Sequence, residues 1–240
     1  MELQNIKYTA FVPARSGSKR LKDKNIKILN GKPLLIWTLE EVVKCKRISE
    51  IIFSTDSLDY WNLVKSQIKS QKIILDLRGS DQASDNVKIF DYLKNNNKKI
   101  FSNRKGAFIL ALPTAPFRKT FHIDEAINLF ESLNKPVFSA TEFSFPISFA
   151  FKLSNQNWEP VFKNSPMITG NTRSQDQEKV FRPNGAIYIR RIEELFGNNL
   201  KTLYDNAIPF IMDFQDSIDI DNILDFKVAE ALMKNPKKHI

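Results

Sequence analysis

The feature that most restricts how this chain can fold is a regular alternation of short apolar runs with segments of helical apolar spacing. Residues 8–12, 50–54, 72–75, 107–112 and 136–140 read as buried strands. Between them, residues 34–44 carry Leu35, Leu39, Val42 and Val43 on one helical face, and 60–69, 87–95 and 123–133 are also helix-like. Strands separated by helices lie side by side and parallel, so the pattern predicts an α/β fold. Its core is an open, mostly parallel sheet with helices on both faces. The pattern breaks at residues 142–180, which are rich in Phe, Pro, Asn and Ser and lack a clean period. A structureless stretch of that length does not suit a compact domain, so strands and turns forming an arm are expected there. Order resumes with a strand at 185–189, a helix at 192–196, a strand at 207–212 and a helix at 222–233. One domain covering residues 1–240 accommodates all of this.

Bulk properties exclude several classes. No apolar run approaches the length of a membrane span, and Met1-Glu2-Leu3-Gln4-Asn5 does not read as a signal peptide. The single cysteine, Cys45, permits no internal disulfide and sits among Val42, Val43 and Ile48, as a packed helix face would place it. A cytoplasmic protein is expected. The net charge of +9 comes largely from lysines scattered among asparagines, as in residues 94–99, without interleaved aromatics. That is a solvated surface, and neither a nucleic-acid nor a membrane partner is expected. His122 and His239 lie in unrelated contexts and suggest neither a triad nor a zinc site.

The chemistry-bearing segment follows the first strand. Residues 13–25 bring Arg15, Lys19, Arg20, Lys22 and Lys24 together with Ser16, Gly17 and Ser18. A small-residue loop leaving a strand can wrap backbone N–H groups around phosphate oxygens while the cations neutralise them. The spacing matches neither a Walker loop nor Gly-x-Gly-x-x-Gly. A second segment, Asp216-Ser217-Ile218-Asp219-Ile220-Asp221, places Asp219 and Asp221 two apart, on one side of an extended chain. Such a pair suits magnesium, which takes one or two carboxylates plus substrate phosphates. Asp221 is also placed to cap the helix that follows.

These segments resemble the acylneuraminate cytidylyltransferase family, which includes the legionaminate and pseudaminate enzymes. Ala14, Arg15, Ser18, Lys19, Lys24 and Asn25 match its loop pattern Ala-Arg-x-x-Ser-Lys-x-x-x-x-Lys-Asn, and Asn30-Gly31-Lys32-Pro33-Leu34 resembles the turn after it. Leu112-Pro113-Thr114-Ala115-Pro116-Phe117-Arg118 resembles the family's Gln-Pro-Thr-Ser-Pro-Leu-Arg, with Leu112 where glutamine is usual. Arg173-Ser174-Gln175 and Phe181-Arg182-Pro183-Asn184-Gly185-Ala186-Ile187-Tyr188 match a longer motif, and residues 217–221 match Ser-x-Asp-Ile-Asp. Ser54-Thr55-Asp56, and Arg78 with Ala83-Ser84-Asp85, are partial matches.

The resemblance implies a Rossmann-like sheet of the nucleotide-diphospho-sugar transferase type. It implies an enzyme that joins CTP to a sialic-acid-like nonulosonic acid, giving the CMP-sugar and pyrophosphate. Arg15, Lys24, Asp219 and Asp221 would carry the catalysis, with Mg²⁺ on the two aspartates. Ala14, Arg15, Ser18, Lys24, Asn25 and Arg78 would bind the nucleotide. Leu112, Thr114, Arg173 and Tyr188 would bind the sugar. Residues 142–180 would serve as a dimerisation arm in a homodimer, with Phe143, Phe145, Phe149, Phe151 and Phe162 too numerous to leave in water on a monomer. Two alternatives stay open: a CMP-3-deoxy-octulosonate synthetase, and a non-catalytic sugar-nucleotide binding protein of the same fold. Lys32, just past the turn glycine, is expected to face solvent.

Overall fold

A computed structural model describes residues 6–79, 81–84, 87–102 and 104–234. Residues 1–5, Asp85 and His239, read above, lie outside these. The strands are β1 (Tyr8–Pro13), β2 (Ile28–Leu29), β3 (Lys32–Pro33), β4 (Ile48–Thr55), β5 (Ile73–Leu77), β6 (Ala107–Leu110), β7 (Val137–Glu142), β8 (Phe151–Ser154), β9 (Asn157–Pro160), β10 (Phe181–Arg191) and β11 (Ile208–Ile211). The helices are α1 (Leu34–Lys44), α2 (Leu58–Gln67), α3 (Ile89–Asn95), α4 (Asn97–Phe101), α5 (Thr120–Leu133), α6 (Pro166–Thr169) and α7 (Ile223–Lys234). Seven strands form the central sheet, in the order β11-β7-β10-β6-β1-β4-β5. All its pairings are parallel except those of β10, which runs antiparallel to both β6 and β7.

The two faces of β1 show why the sheet is covered on both sides. Ala10 and Val12 point to one face and pack with α1, α2 and α5, through residues such as Leu39, Val64 and Ile127. Phe11 points to the other and packs with Tyr92, Leu93 and Phe101 of α3 and α4. Both layers are fully buried at their centres, as a parallel sheet requires. Residues 192–196 form a 3-10 helix rather than an α-helix, a turn too short to continue before Gly197.

The inversion of β10 was not foreseen. Its register breaks between Pro183 and Tyr188, and the buried Asn184 fixes the irregularity. The Asn184 amide oxygen accepts from the Ser139 hydroxyl (2.5 Å) and from the Ala186 N–H (3.1 Å), while its NH₂ donates to Ser217 Oγ (2.8 Å). An asparagine has the donors and the acceptor to hold three partners at once, which an apolar residue in the same place could not do.

Between β7 and β10, the chain forms the β8–β9 hairpin, 3-10 turns and the short α6. The hairpin strands pair only with each other among the described residues. Phe145 packs on Phe149 with ring centroids 5.1 Å apart, and Phe151 meets Trp158 at 5.9 Å. Much of this apolar surface stays open, with Phe145 59% and Leu153 73% exposed.

Candidate active site

The carboxyl ends of β1, β5 and β6 meet the segment after β11 around a cleft of about 360 Å³. Open parallel sheets bind ligands at this edge, because the loops there leave backbone donors and helix N-termini unclaimed. Of the residues expected from sequence, Arg15, Ser18, Lys24, Asn25 and Arg78 line the cleft, together with Leu112, Thr114, Asp219 and Asp221. Ala14, Arg173 and Tyr188 are not among its lining residues. Ala14 is buried and its N–H donates to the Ser54 carbonyl (2.8 Å), extending the β1–β4 pairing into the loop. Tyr188 is buried, with its hydroxyl 3.1 Å from that of Tyr204. Arg173 lies exposed in the segment between β7 and β10.

The basic loop is built by three devices. Gly17 supplies a left-handed turn (φ +69°) that a side chain would strain. Asp56, at the end of β4, accepts both the Ser16 N–H (2.8 Å) and the Ser16 hydroxyl (2.6 Å). Burial raises the proton affinity of Asp56, but these two bonds outweigh it and hold the carboxyl below the ordinary range. Asn25 closes the far side by donating from its amide to the Arg15 carbonyl (2.9 Å). Asn25 thus braces the loop as well as facing the cleft.

The opposite wall is braced by Arg118, the last residue of the Pro-Thr-Ala-Pro-Phe-Arg motif. Its guanidinium is fully buried and donates to the carbonyls of Leu112 (3.2 Å) and Ala186 (2.7 Å), tying the turn after β6 to β10. Burial lowers its pKa to about 10. The Ile220 N–H donates to the Thr114 carbonyl (2.8 Å), which sets the acidic segment against the same turn. Gly185 (φ +73°) completes the wall: a Cβ there would lie 3.3 Å from Leu112 Cδ1 and 3.8 Å from Asp219 Oδ2.

The two aspartates differ sharply. Burial raises the pKa of Asp219, and the Asp221 charge adds to this, while the Thr114 hydroxyl and the Lys24 charge counter it. Asp219 Oδ1 is buried without a hydrogen-bond partner. Asp221 instead accepts from Lys24 Nζ (2.9 Å) on Oδ1 and pairs with Arg20 (3.1 Å) on Oδ2. Burial opposes its ionisation, but Lys24 and Arg20 outweigh that and keep its pKa low. The expected cap role of Asp221 falls elsewhere. Asn222 Oδ1 accepts the N–H groups of Leu224 and Asp225, while Asp225 reaches back to those of Asp221 and Asn222. The Asp221 side chain is therefore left for the cleft.

Arg78 sits beneath the cleft over the Tyr92 ring (5.4 Å), and burial lowers its pKa. Lys32 does not point freely into solvent: it pairs with Glu40 and lies 3.9 Å above the Trp37 ring. Sequence reading missed Asp56 as the loop latch and Arg20 as a partner of the acidic pair. It also missed Val87 and Ile89, which give the cleft an apolar side near Arg78. The Asp56 latch had a signal in Ser54-Thr55-Asp56. The others come from contacts between distant segments and left none.

The fold and cleft together are those of an α/β nucleotidyltransferase. The cytidylyltransferase family profile matches residues 9–238, and the chain belongs to that family. It is 29% identical over 97% of its length to an Escherichia coli N-acylneuraminate cytidylyltransferase, and spans about half (53%) of that relative. It is also 29% identical to a CMP-N,N'-diacetyllegionaminic acid synthase of Legionella pneumophila, over 94% of this chain and 95% of that one. A Campylobacter jejuni pseudaminic acid cytidylyltransferase is 27% identical over 95% of this chain and 97% of its own. These relatives bear out the family resemblance. A solved CMP:2-keto-3-deoxy-manno-octonic acid synthetase complexed with CTP shares the fold, with a TM-score of 0.68 over 96% of this chain and 100% of that one, at 16% identity.

Proposed function

We propose that the protein transfers CMP from CTP to the anomeric hydroxyl of a sialic-acid-like nonulosonic acid, releasing pyrophosphate. The observation that carries this reading is the meeting of the basic loop and the paired aspartates in one cleft, with Lys24 Nζ 2.9 Å from Asp221. The names of the relatives, two cytidylyltransferases of sugar acids and a CMP-legionaminic acid synthase, agree with it. Arg15 and Lys24 neutralise the phosphates, and Ser18 lies on the same loop. Arg78 and Asn25 hold the cytidine, with Val87 and Ile89 giving the base an apolar side. Thr114 and Leu112 face the sugar. In-line attack on the α-phosphorus needs no covalent intermediate with the enzyme, so positioning and charge neutralisation are the whole of the protein's contribution.

Asp219 and Asp221 fit a magnesium ion. The orphaned, buried Asp219 Oδ1 is the kind of atom a cation satisfies, and oxygen donors are what magnesium takes. When bound, the ion supplies charge neutralisation at the phosphates and a lower pKa for the attacking hydroxyl. The reaction belongs to the cytoplasm, in keeping with one buried, unpaired cysteine. Residues 142–180 form the dimerisation arm of a homodimer, in which Arg173 reaches the partner's sugar site. Support for the arm is its open apolar surface, with Phe145, Phe151, Leu153 and Trp158 each at least half exposed. Pyrophosphate release with CTP, Mg²⁺ and a panel of neuraminate, legionaminate, pseudaminate and 3-deoxy-octulosonate tests the chemistry. Turnover of none, or of the eight-carbon acid alone, would overturn it.

A further inference from the structure

The Lys24–Asp221–Arg20 cluster carries an inference that rests on the reading of Asp219 and Asp221 as a metal pair. Both oxygens of Asp221 are already taken, Oδ1 by Lys24 (2.9 Å) and Oδ2 by Arg20 (3.1 Å). Lys24 is the firmer partner: its side chain is 13% exposed, against 72% for that of Arg20. A divalent cation entering alone therefore meets an aspartate occupied by two positive groups, one of them held nearly dry. Displacing Lys24 would leave an ammonium beside the incoming cation, and like charges a few ångström apart repel. Asp219 Oδ1, two residues away, has no hydrogen-bond partner of its own.

We propose that Lys24, assisted by Arg20, is a placeholder cation that blocks the metal site until a nucleoside triphosphate arrives. The triphosphate offers Lys24 anionic oxygens in exchange for the carboxylate, which frees Asp221 for the metal. The exchange keeps every charge paired before and after, and it couples the two ligands. Metal binds weakly without nucleotide and tightly with it, and by reciprocity the metal tightens the nucleotide by the same factor. Lys24 thus has opposite effects on the two ligands: it attracts the phosphates and repels the free metal.

Manganese(II) titrated into the full-length protein and followed by electron paramagnetic resonance tests this directly, with and without CTP and with no sugar present. Wild-type protein should bind Mn²⁺ about tenfold or more tightly in the presence of CTP. Lys24→Met, and independently Lys24→Gln, should bind Mn²⁺ about tenfold more tightly than wild type when CTP is absent, and should lose most of the enhancement by CTP. Arg20→Met should shift the nucleotide-free affinity the same way by less. Unchanged or weaker nucleotide-free Mn²⁺ binding in both Lys24 variants would overturn the placeholder role. The metal reading fails separately: if Asp219→Asn and Asp221→Asn bind Mn²⁺ normally with CTP, the aspartates are not the ligands and this inference falls with them.

Discussion

The cleft and the segment between β7 and β10 treat their difficult groups in opposite ways. In and around the cleft, polar groups from four separate stretches of chain hold one another: Asp56 holds Ser16, Lys24 and Arg20 hold Asp221, and Arg118 donates to two carbonyls. What is left over includes Asp219 Oδ1, Asn25 Oδ1 and Arg78 Nε, buried atoms of cleft-lining residues without a hydrogen-bond partner. Along residues 142–180 the unmet groups are apolar, with Phe145, Leu153 and Trp158 open to water, the kind of surface that marks a partner contact. The described cleft thus leaves polar atoms unmet, whereas the segment leaves apolar ones, which is what the proposed homodimer would cover. The mutations below test each half of that contrast.

The largest effect is expected at Asp219. Removing a metal-binding carboxylate from a phosphoryl-transfer site costs several kcal/mol of transition-state stabilisation, so Asp219→Ala should lower kcat about a thousandfold. Thermal stability should hold or rise, because the lost group is a desolvated carboxylate whose burial opposes its charge. Pyrophosphate release and a melting curve on the same sample measure both. Near-normal turnover with millimolar Mg²⁺ would mean that the unmet atom in the cleft is not what the chemistry uses.

A smaller but still large loss is expected at Arg15. With its side chain in the cleft wall, Arg15→Ala should cost about a hundredfold in kcat/KM for CTP, a typical loss when one charge contact to a phosphate disappears. Lys32→Ala should stay within about twofold of wild type. Lys32 belongs to a local cluster with Glu40 and Trp37, and its removal should register as a stability loss of under about 1 kcal/mol. Equal effects on CTP use from the two would mean that the basic loop is surface decoration.

The contrast between cleft and arm is broken or kept by mixing inactive chains. Arg173→Ala and Asp219→Ala, mixed and allowed to exchange, should recover about a quarter of wild-type activity per total site. Random pairing makes half the dimers mixed, and each mixed dimer holds one intact site of two. A monomer by light scattering at micromolar concentration would show that the apolar segment is covered some other way. A dimer with no recovery would place Arg173 outside the partner's site.

How much of this was readable beforehand depended on the range of the contact. The alternation of strands and helices and the apolar faces of α1 and α5 are local properties, and the sheet formed as they implied. Gly17 and Gly185 stood in motifs whose backbone demands only glycine meets comfortably. The inversion of β10 was invisible, because the apolar run at 185–189 does not encode direction; the long connection from β7 decides it. The Lys24–Asp221 pair joins residues 197 positions apart, so neither residue's neighbours announce it. Lys32 was misjudged for the same reason on a smaller scale: its partners lie a turn or more into α1, where Glu40 and Trp37 share a face.

The smallest expected effect separates Asp221 from the helix it precedes. The first turn of α7 is capped by Asn222, whose Oδ1 accepts from Leu224 (2.8 Å) and Asp225 (3.1 Å). Asn222→Ala removes that acceptor and should cost about 1 kcal/mol of stability, the usual price of losing a side-chain cap. Turnover at a temperature well below melting should stay within about twofold, since Asn222 lies outside the cleft lining. Asp221→Ala should do the reverse: activity falls steeply, and stability changes little because its lost ion pairs are partly solvent-screened. Denaturant melts and initial rates on the two variants would decide the matter. If Asp221→Ala cost the stability and Asn222→Ala the activity, the assignment of cap and cleft residues would have to be exchanged, and the acidic pair would shrink to Asp219 alone.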